Sequence, residues 1–364
     1  MSLLFTPFQL DQLALRNRIV ISPMCQYSAV DGMATSWHLI HLGHLALSGA
    51  ALMFIEATAV EPAGRISPAD MGLWDDATQQ ALQRVLDEVR KYSDIKIGLQ
   101  IAHAGRKASC RAPWLGGLQL PLEEGGWPTF APSAIPFRDT DRPPTALDAT
   151  GLQRIRDAFV ATAKRADAIG IDVIEVHMAH GYLFHEFMSP LSNQRTDQYG
   201  GEFAARVRFP LEVFDAVRAA VPAHKPVGVR ISGTDWVAGG WDVEQSAEFA
   251  SLLKKRGCAF IDVSSGSLSL KQQIPIGPSY QVPLAERVKA ASGLSTIAVG
   301  LITEPQQAEQ IVESGRADLV ALARGMLYNP RWPWHAAAAL GAKVEAPPQY
   351  WLAPPAQFKE SFKR

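Results

Sequence analysis

Cysteine is scarce. Cys25, Cys110 and Cys258 are the three in a chain of 364 residues, too few and too scattered for a disulfide framework, a zinc cage or an iron–sulfur cluster. Net charge is nearly absent too: 35 Lys and Arg stand against 36 Asp and Glu, which leaves no electrostatic footprint for nucleic acid or an anionic membrane. No apolar run approaches the ~20 residues of a membrane span, and Met1-Ser2-Leu3-Leu4-Phe5 does not open a secretory leader. These absences predict a soluble, cytoplasmic protein whose partners are small molecules. No G-x-G-x-x-G follows the first apolar strand either, so the mark of a doubly wound dinucleotide-binding domain is missing.

What is present is a repeat of short β-branched runs and amphipathic stretches. The runs are Ile19–Ser22, Ala51–Glu56, Lys96–Ile101, Asp172–Val176, Pro226–Ile231, Ala259–Val263, Ser295–Val299 and Asp318–Leu322. Helical periodicity lies between them, as in Ala77–Tyr92 with Leu82, Val85, Leu86 and Val89 on one face. Eight such units without a linker predict an α/β fold, a (β/α)8 TIM barrel in a single domain over residues 1–364, with the barrel at about 18–340. Two segments break the repeat. Ser109–Leu147, roughly forty residues rich in Pro, Gly and Trp, is far longer than an ordinary connection and is expected over the active-site face. Residues 341–364 form a C-terminal arm whose Pro347–Pro355 stretch reads as non-helical, packing on its own barrel or reaching a neighbouring subunit.

Chemistry concentrates in Ile174-Glu175-Val176-His177-Met178-Ala179-His180-Gly181-Tyr182. A buried strand there gives way to two imidazoles and a phenol at the barrel end where catalytic groups gather. Other strand ends add Ser22-Pro23-Met24-Cys25-Gln26-Tyr27, Glu56-Ala57-Thr58, Gln100-Ile101-Ala102-His103-Ala104-Gly105-Arg106-Lys107, Ser264-Ser265-Gly266, Gly300 and Ala323-Arg324-Gly325. Arg230 sits inside an apolar run, and a buried guanidinium demands an anionic or carbonyl-rich partner. Gly300 and Arg324 follow strands seven and eight, a common phosphate site in barrels, although a turn and a surface cation explain them equally well. A second reading has His103, Glu175, His177 and His180 ligate a metal for a barrel hydrolase, with Asp262 or Asp235 adding oxygen. Arg230 opposes it by repelling the cation. A silent ligand-binding barrel leaves the His177/His180/Tyr182 set without a purpose.

Ser22-Pro23-Met24-Cys25, the Gln100–Lys107 run, His177-x-x-His180-Gly181-Tyr182-Leu183 and Ser189–Gly201 together resemble the old yellow enzyme family of flavin-dependent ene-reductases, in its bacterial thermophilic-like and xenobiotic-reductase branch. The resemblance spans Leu4 to about Gln349. It implies noncovalent FMN reduced by NADPH or NADH and reoxidised by an activated alkene such as an enone, enal, maleimide or nitro compound, in a ping-pong cycle. Carried over by position, Pro23, Met24, Cys25, Ala57, Gln100 and Arg230 line the isoalloxazine. Ser264, Gly266, Gly300, Ala323 and Arg324 bind the ribityl phosphate, with Ala323 standing where relatives usually carry Gly. His177 and His180 donate to the substrate carbonyl, Tyr182 protonates the α-carbon, and Tyr27 and Trp351 shape the pocket. No metal is implied. Many relatives carry an Arg in the arm that enters a neighbour's site, but Tyr350–Gln357 holds none, and Trp351 is the candidate for that space. A homodimer or homotetramer is expected.

Overall fold

The structure is a computed structural model describing residues 2–363. Eight parallel strands close into a barrel: β1 (Ile19–Ile21), β2 (Leu52–Ala59), β3 (Lys96–Ala102), β4 (Val173–Met178), β5 (Val227–Ser232), β6 (Phe260–Ser264), β7 (Ser295–Ala298) and β8 (Leu319–Leu322). β5 pairs with β6 and β8 with β1, so no edge remains. The main helices between them are α1 (Ser36–Ala46), α2 (Asp76–Arg90), α3 (Ala149–Ala168), α4 (Arg208–Ala220), α5 (Val243–Lys254), α6 (Val282–Ser292), α7 (Pro305–Glu313) and α8 (Trp332–Ala339). Asp75, Asp148 and Asp242 each cap a helix by accepting the backbone N–H three residues on, contacts worth about 1 kcal/mol apiece.

Side-chain alternation sorts the strands into two cores. Outward residues such as Ile21, Met53, Ile97, Ile174, Val229 and Ile261 pack beneath the helices. Inward residues Val20, Leu52, Phe54, Val173, Phe260, Ile297 and Leu319 fill the lower interior, closed from below by Leu10 and Leu15 of the antiparallel pair Phe8–Leu10 and Leu13–Leu15. The floor holds two rings, Phe54 and Phe260, with centroids 5.9 Å apart. Gly98 and Gly228 make room for them: a Cβ at Gly98 would stand 2.4 Å from Phe54, and one at Gly228 2.3 Å from Phe260. One step higher the interior turns polar, with Gln100, Glu175, Arg230 and Asp262 all buried.

Three expectations change in detail. β4 runs through Met178, because His177 and Met178 pair with Arg230 and Ile231 of β5, so His177 is a strand residue rather than a loop residue. β2 continues past Glu56 through a register shift between Ile55 and Thr58, which takes Ala57 into the strand. The arm contains turns of 3-10 helix at Pro348–Tyr350 and Ala356–Ser361, correcting the non-helical reading. Proline is tolerated at the first positions of such turns, where no N–H is needed. The arm folds onto its own chain: Val344–Glu345 pairs with Phe362–Lys363, and Trp334 lies between the rings of Tyr350 and Phe362. The long loop comes to the barrel mouth as expected, placing Trp114 edge-on to Tyr27 at 5.6 Å. Among the described residues no helix is long and apolar enough to cross a membrane.

Candidate active site

β4, β5 and β6 deliver adjacent inward side chains at matched heights. His177 stands opposite Arg230, Arg230 opposite Asp262, and Ser232 opposite Ser264. The His177 Nδ1 accepts the Ala179 N–H at 3.2 Å, so in the neutral ring the proton resides on Nε2. His180 follows in a left-handed conformation, φ 60°, fixed by its own N–H donating to Ser232 Oγ at 2.9 Å. Its Nε2 is 2.7 Å from Ser264 Oγ. Gly181 continues the left-handed turn at φ 69°, and a Cβ there would stand 2.4 Å from the Ser267 carbonyl oxygen, so a side chain is excluded twice over. Tyr182 then opens the helix Leu183–Met188. The result is three rings edge to face: His177 lies 5.2 Å from His180 and 5.0 Å from Tyr182, centroid to centroid.

Burial sets the protonation states. It pushes His177 and His180 well below the ordinary imidazole range, and the Arg230 charge pushes the same way, so both rings are neutral donors at pH 7. Burial holds the Tyr182 phenol well above 10, with Cys25 and Tyr27 reinforcing it. Cys25 is raised by burial and then by Asp70 and Glu56, which keeps it a thiol. Below them Glu175 is pushed up to about 8 by burial and by Asp262, against the opposing pull of Arg230. Gln100 Nε2 donates to Glu175 Oε1 at 2.8 Å, and Arg230 Nε lies 3.3 Å from Asp262 Oδ2.

The remaining expected residues fall in three places. The Pro23–Tyr27 segment leaves β1 and is anchored when the Gln26 N–H donates to Glu56 Oε2 at 2.8 Å, with His38 Nε2 3.2 Å from the other oxygen. Tyr27 takes a left-handed φ of 48°. Ser264 and Ser265 converge with Gly300 on Gln281, whose amide accepts Ser265 Oγ at 2.6 Å and donates to the Val299 carbonyl at 3.2 Å. Ala323 and Arg324 begin the short helix Arg324–Tyr328, and Gly266 is left-handed at φ 70°. Trp351 is not at this mouth: its Nε1 donates to the Ala346 carbonyl, and Ala346 borders a cleft with Lys96 and Asp172, where β3 and β4 begin. The metal set does not form either. His103 is engaged by Glu61 at 3.1 Å, Arg154 clasps the same carboxylate, and no three His, Cys, Asp or Glu among the described residues are grouped to hold a metal.

Sequence reading missed several parts of this frame. Gln281 and the Glu56–His38 pair carry no local signature, and His185, buried 2.7 Å from Asp235, accepts the Gly181 N–H at 2.9 Å and so braces the turn from behind. Asp235 also accepts Ser189 Oγ and the Trp241 N–H. The His at helical spacing behind Gly181 was the one available hint.

A family model described as the NADH:flavin oxidoreductase / NADH oxidase family matches residues 3–342. The chain belongs to that family. An NADH:flavin oxidoreductase of Gibberella zeae is 44% identical over 359 residues, covering 94% of this chain and 86% of the relative. An NADPH dehydrogenase of Geobacillus thermodenitrificans is 43% identical over 351 residues, covering 96% and 98%. The solved structure of morphinone reductase superposes with a TM-score of 0.78 at 27% identity, over 100% of this chain and 94% of that one. The protein is thus an oxidoreductase of the old yellow enzyme type on a TIM barrel, and the family's flavin is FMN. The mouth fits that group: Ser22 Oγ is buried there without a hydrogen-bond partner among the described residues, as a donor reserved for a carbonyl-rich ring would be.

Proposed function

We propose that the protein is an NAD(P)H-dependent ene-reductase that saturates the C=C bond of small α,β-unsaturated carbonyl compounds. The observation that carries this reading is the edge-to-face trio of His177, His180 and Tyr182 beside the buried Arg230. Pro23–Cys25, Ala57, Gln100 and Arg230 would hold FMN around its ring, and Ser264, Gly266, Gly300, Ala323 and Arg324 at its phosphate; once bound, the group would supply the hydride. Arg230 adds a fixed cation where a reduced ring concentrates negative charge.

The chain's own residues do the rest. His177 presents Nε2–H to the substrate carbonyl oxygen, where charge develops when the β-carbon is reduced. If Ser264 donates to His180 Nε2 and Ser265 to Gln281, His180 keeps its Nδ1–H as the second donor. Both rings stay neutral, so they stabilise the enolate oxygen without surrendering a proton to it. Tyr182, kept protonated by burial, delivers its phenolic proton to the α-carbon. Tyr27 and Trp114 wall the pocket. Exposed Trp37 and Ile40 on α1, with Leu352 in the arm, supply apolar surface for the homodimer or homotetramer we also propose. Titration with a phenol, which mimics the enolate, tests the site: binding perturbs the flavin spectrum in the wild type and is weakened in His177→Ala. Equal affinity in both proteins would remove His177 from the oxyanion role.

A further inference from the structure

Lys107 ends the turn that follows β3 and belongs to none of the groups assigned above. Its Nζ donates to the His180 carbonyl at 2.8 Å and to the Ser267 carbonyl at 3.0 Å. Both acceptors are non-glycine residues in the left-handed region, at φ 60° and 71°, which L side chains rarely adopt. One ammonium therefore holds two strained peptides, one in the loop after β4 and one in the loop after β6. The same nitrogen lies 5.0 Å from the centroid of the Tyr182 ring and 4.8 Å from that of Phe137, which the long loop lays over it.

We propose that Lys107 is the positioning residue for Tyr182: it fixes the His180–Tyr182 turn, and its charge against the ring stabilises the phenolate left by proton transfer. The inference rests on the ene-reductase reading. In the step concerned the Tyr182 O–H bond breaks and a bond from hydrogen to the α-carbon forms from the enolate electron pair. The O–H pair stays on the phenolate oxygen, which then recovers a proton from water. Burial opposes that phenolate, and a cation at a ring face offsets the opposition because its attraction grows when the ring becomes an anion. Lys107 is itself lowered to about 8 by burial; Glu186 and Cys110 favour its charge while Arg106 and Arg138 oppose it. It remains charged at pH 7, and its help fades above pH 8.

The test is a double-mutant cycle on the FMN-loaded enzyme, following reoxidation of the reduced protein by 2-cyclohexenone. Lys107→Met is expected to slow reoxidation roughly tenfold, Lys107→Arg to recover most of that loss, and reduction by NADPH to change much less. Added to Tyr182→Phe, Lys107→Met should slow reoxidation little further, since without the phenol there is no phenolate to stabilise. In the wild type the reoxidation rate should also decline above pH 8, a slope that Lys107→Met removes. Lys107→Met reoxidised at the wild-type rate, or a full tenfold loss retained on top of Tyr182→Phe, would overturn the inference. If Tyr182→Phe is itself reoxidised at the wild-type rate, the proton-donor reading fails first. Should Lys107→Met fail to hold FMN, Lys107→Gln replaces it in the cycle, keeping an amide donor for the two carbonyls and dropping the charge.

Discussion

Followed along its inward face, β4 runs Val173, Glu175, His177, β5 runs Gly228, Arg230, Ser232, and β6 runs Phe260, Asp262, Ser264. Each strand thus passes from an apolar floor, through a charged middle, to a hydrogen-bonding mouth. The floor is ordinary core: large rings, two glycines that let them pack, and a hairpin as stopper. The mouth breaks the rules of a core, with neutral histidines, a raised phenol and buried polar atoms lacking protein partners. The difference teaches that one set of strands can keep stability and chemistry apart by a few residues. What sets the protonation states at the mouth is the burial of its own groups, with the Arg230 charge adding to it at both histidines.

Substitutions at each end should separate the two properties, and their effects should fall in this order. Tyr182→Phe should slow alkene reduction by about 10²–10⁴-fold while flavin reduction by NADPH changes little. Stopped-flow traces of the two half-reactions decide it, and unchanged alkene turnover would assign the proton to solvent. Phe260→Ala should cost about 3–5 kcal/mol of stability, read as a lowered Tm, while the folded fraction keeps its phenol affinity. A loss of phenol binding without a loss of Tm would blur the boundary between floor and mouth.

Glu175→Gln probes the charged middle. The folded protein holds this carboxyl at about 8 against an ordinary 4.5. It therefore binds a proton that the unfolded chain has released, and this contribution to stability is full below pH 4.5 and lost as pH rises towards 8. Glutamine mimics the protonated acid, so the variant should gain on the wild type across that window, most at its upper end. Melting curves at pH 5 and pH 8.5 are the check, and parallel pH profiles for the two proteins would contradict it. His177→Ala should have the smallest effect, weakening phenol binding about tenfold by removing one neutral donor.

Much of this division is legible in the sequence, and the exceptions follow one physical rule. Buried parallel strands read as short β-branched runs, and all eight were visible that way. The end of β4 was not, because a histidine looks like loop, whereas a barrel interior accepts a polar side chain near its mouth. His177, His180 and Tyr182 were legible because they are contiguous. Lys107 lay in plain sight without a task, since its acceptors are 73 and 160 residues downstream. Gln281 and His38 were hidden for the same reason, as were the tasks of Glu56 and Asp235: their partners meet only when the barrel closes. Trp351, expected to shape a pocket in its own or a neighbouring subunit's site, lies beside Ala346 within its own chain.

The most direct test of the account is the visible spectrum of the purified protein, recorded anaerobically before NADPH, after it, and again after 2-cyclohexenone. The account predicts a flavin spectrum that bleaches with NADPH and returns with the enone, and a Tyr182→Phe variant that bleaches normally and returns slowly. A flavin that bleaches and stays bleached with the wild-type enzyme would contradict the ene-reductase reading while leaving the family membership in place.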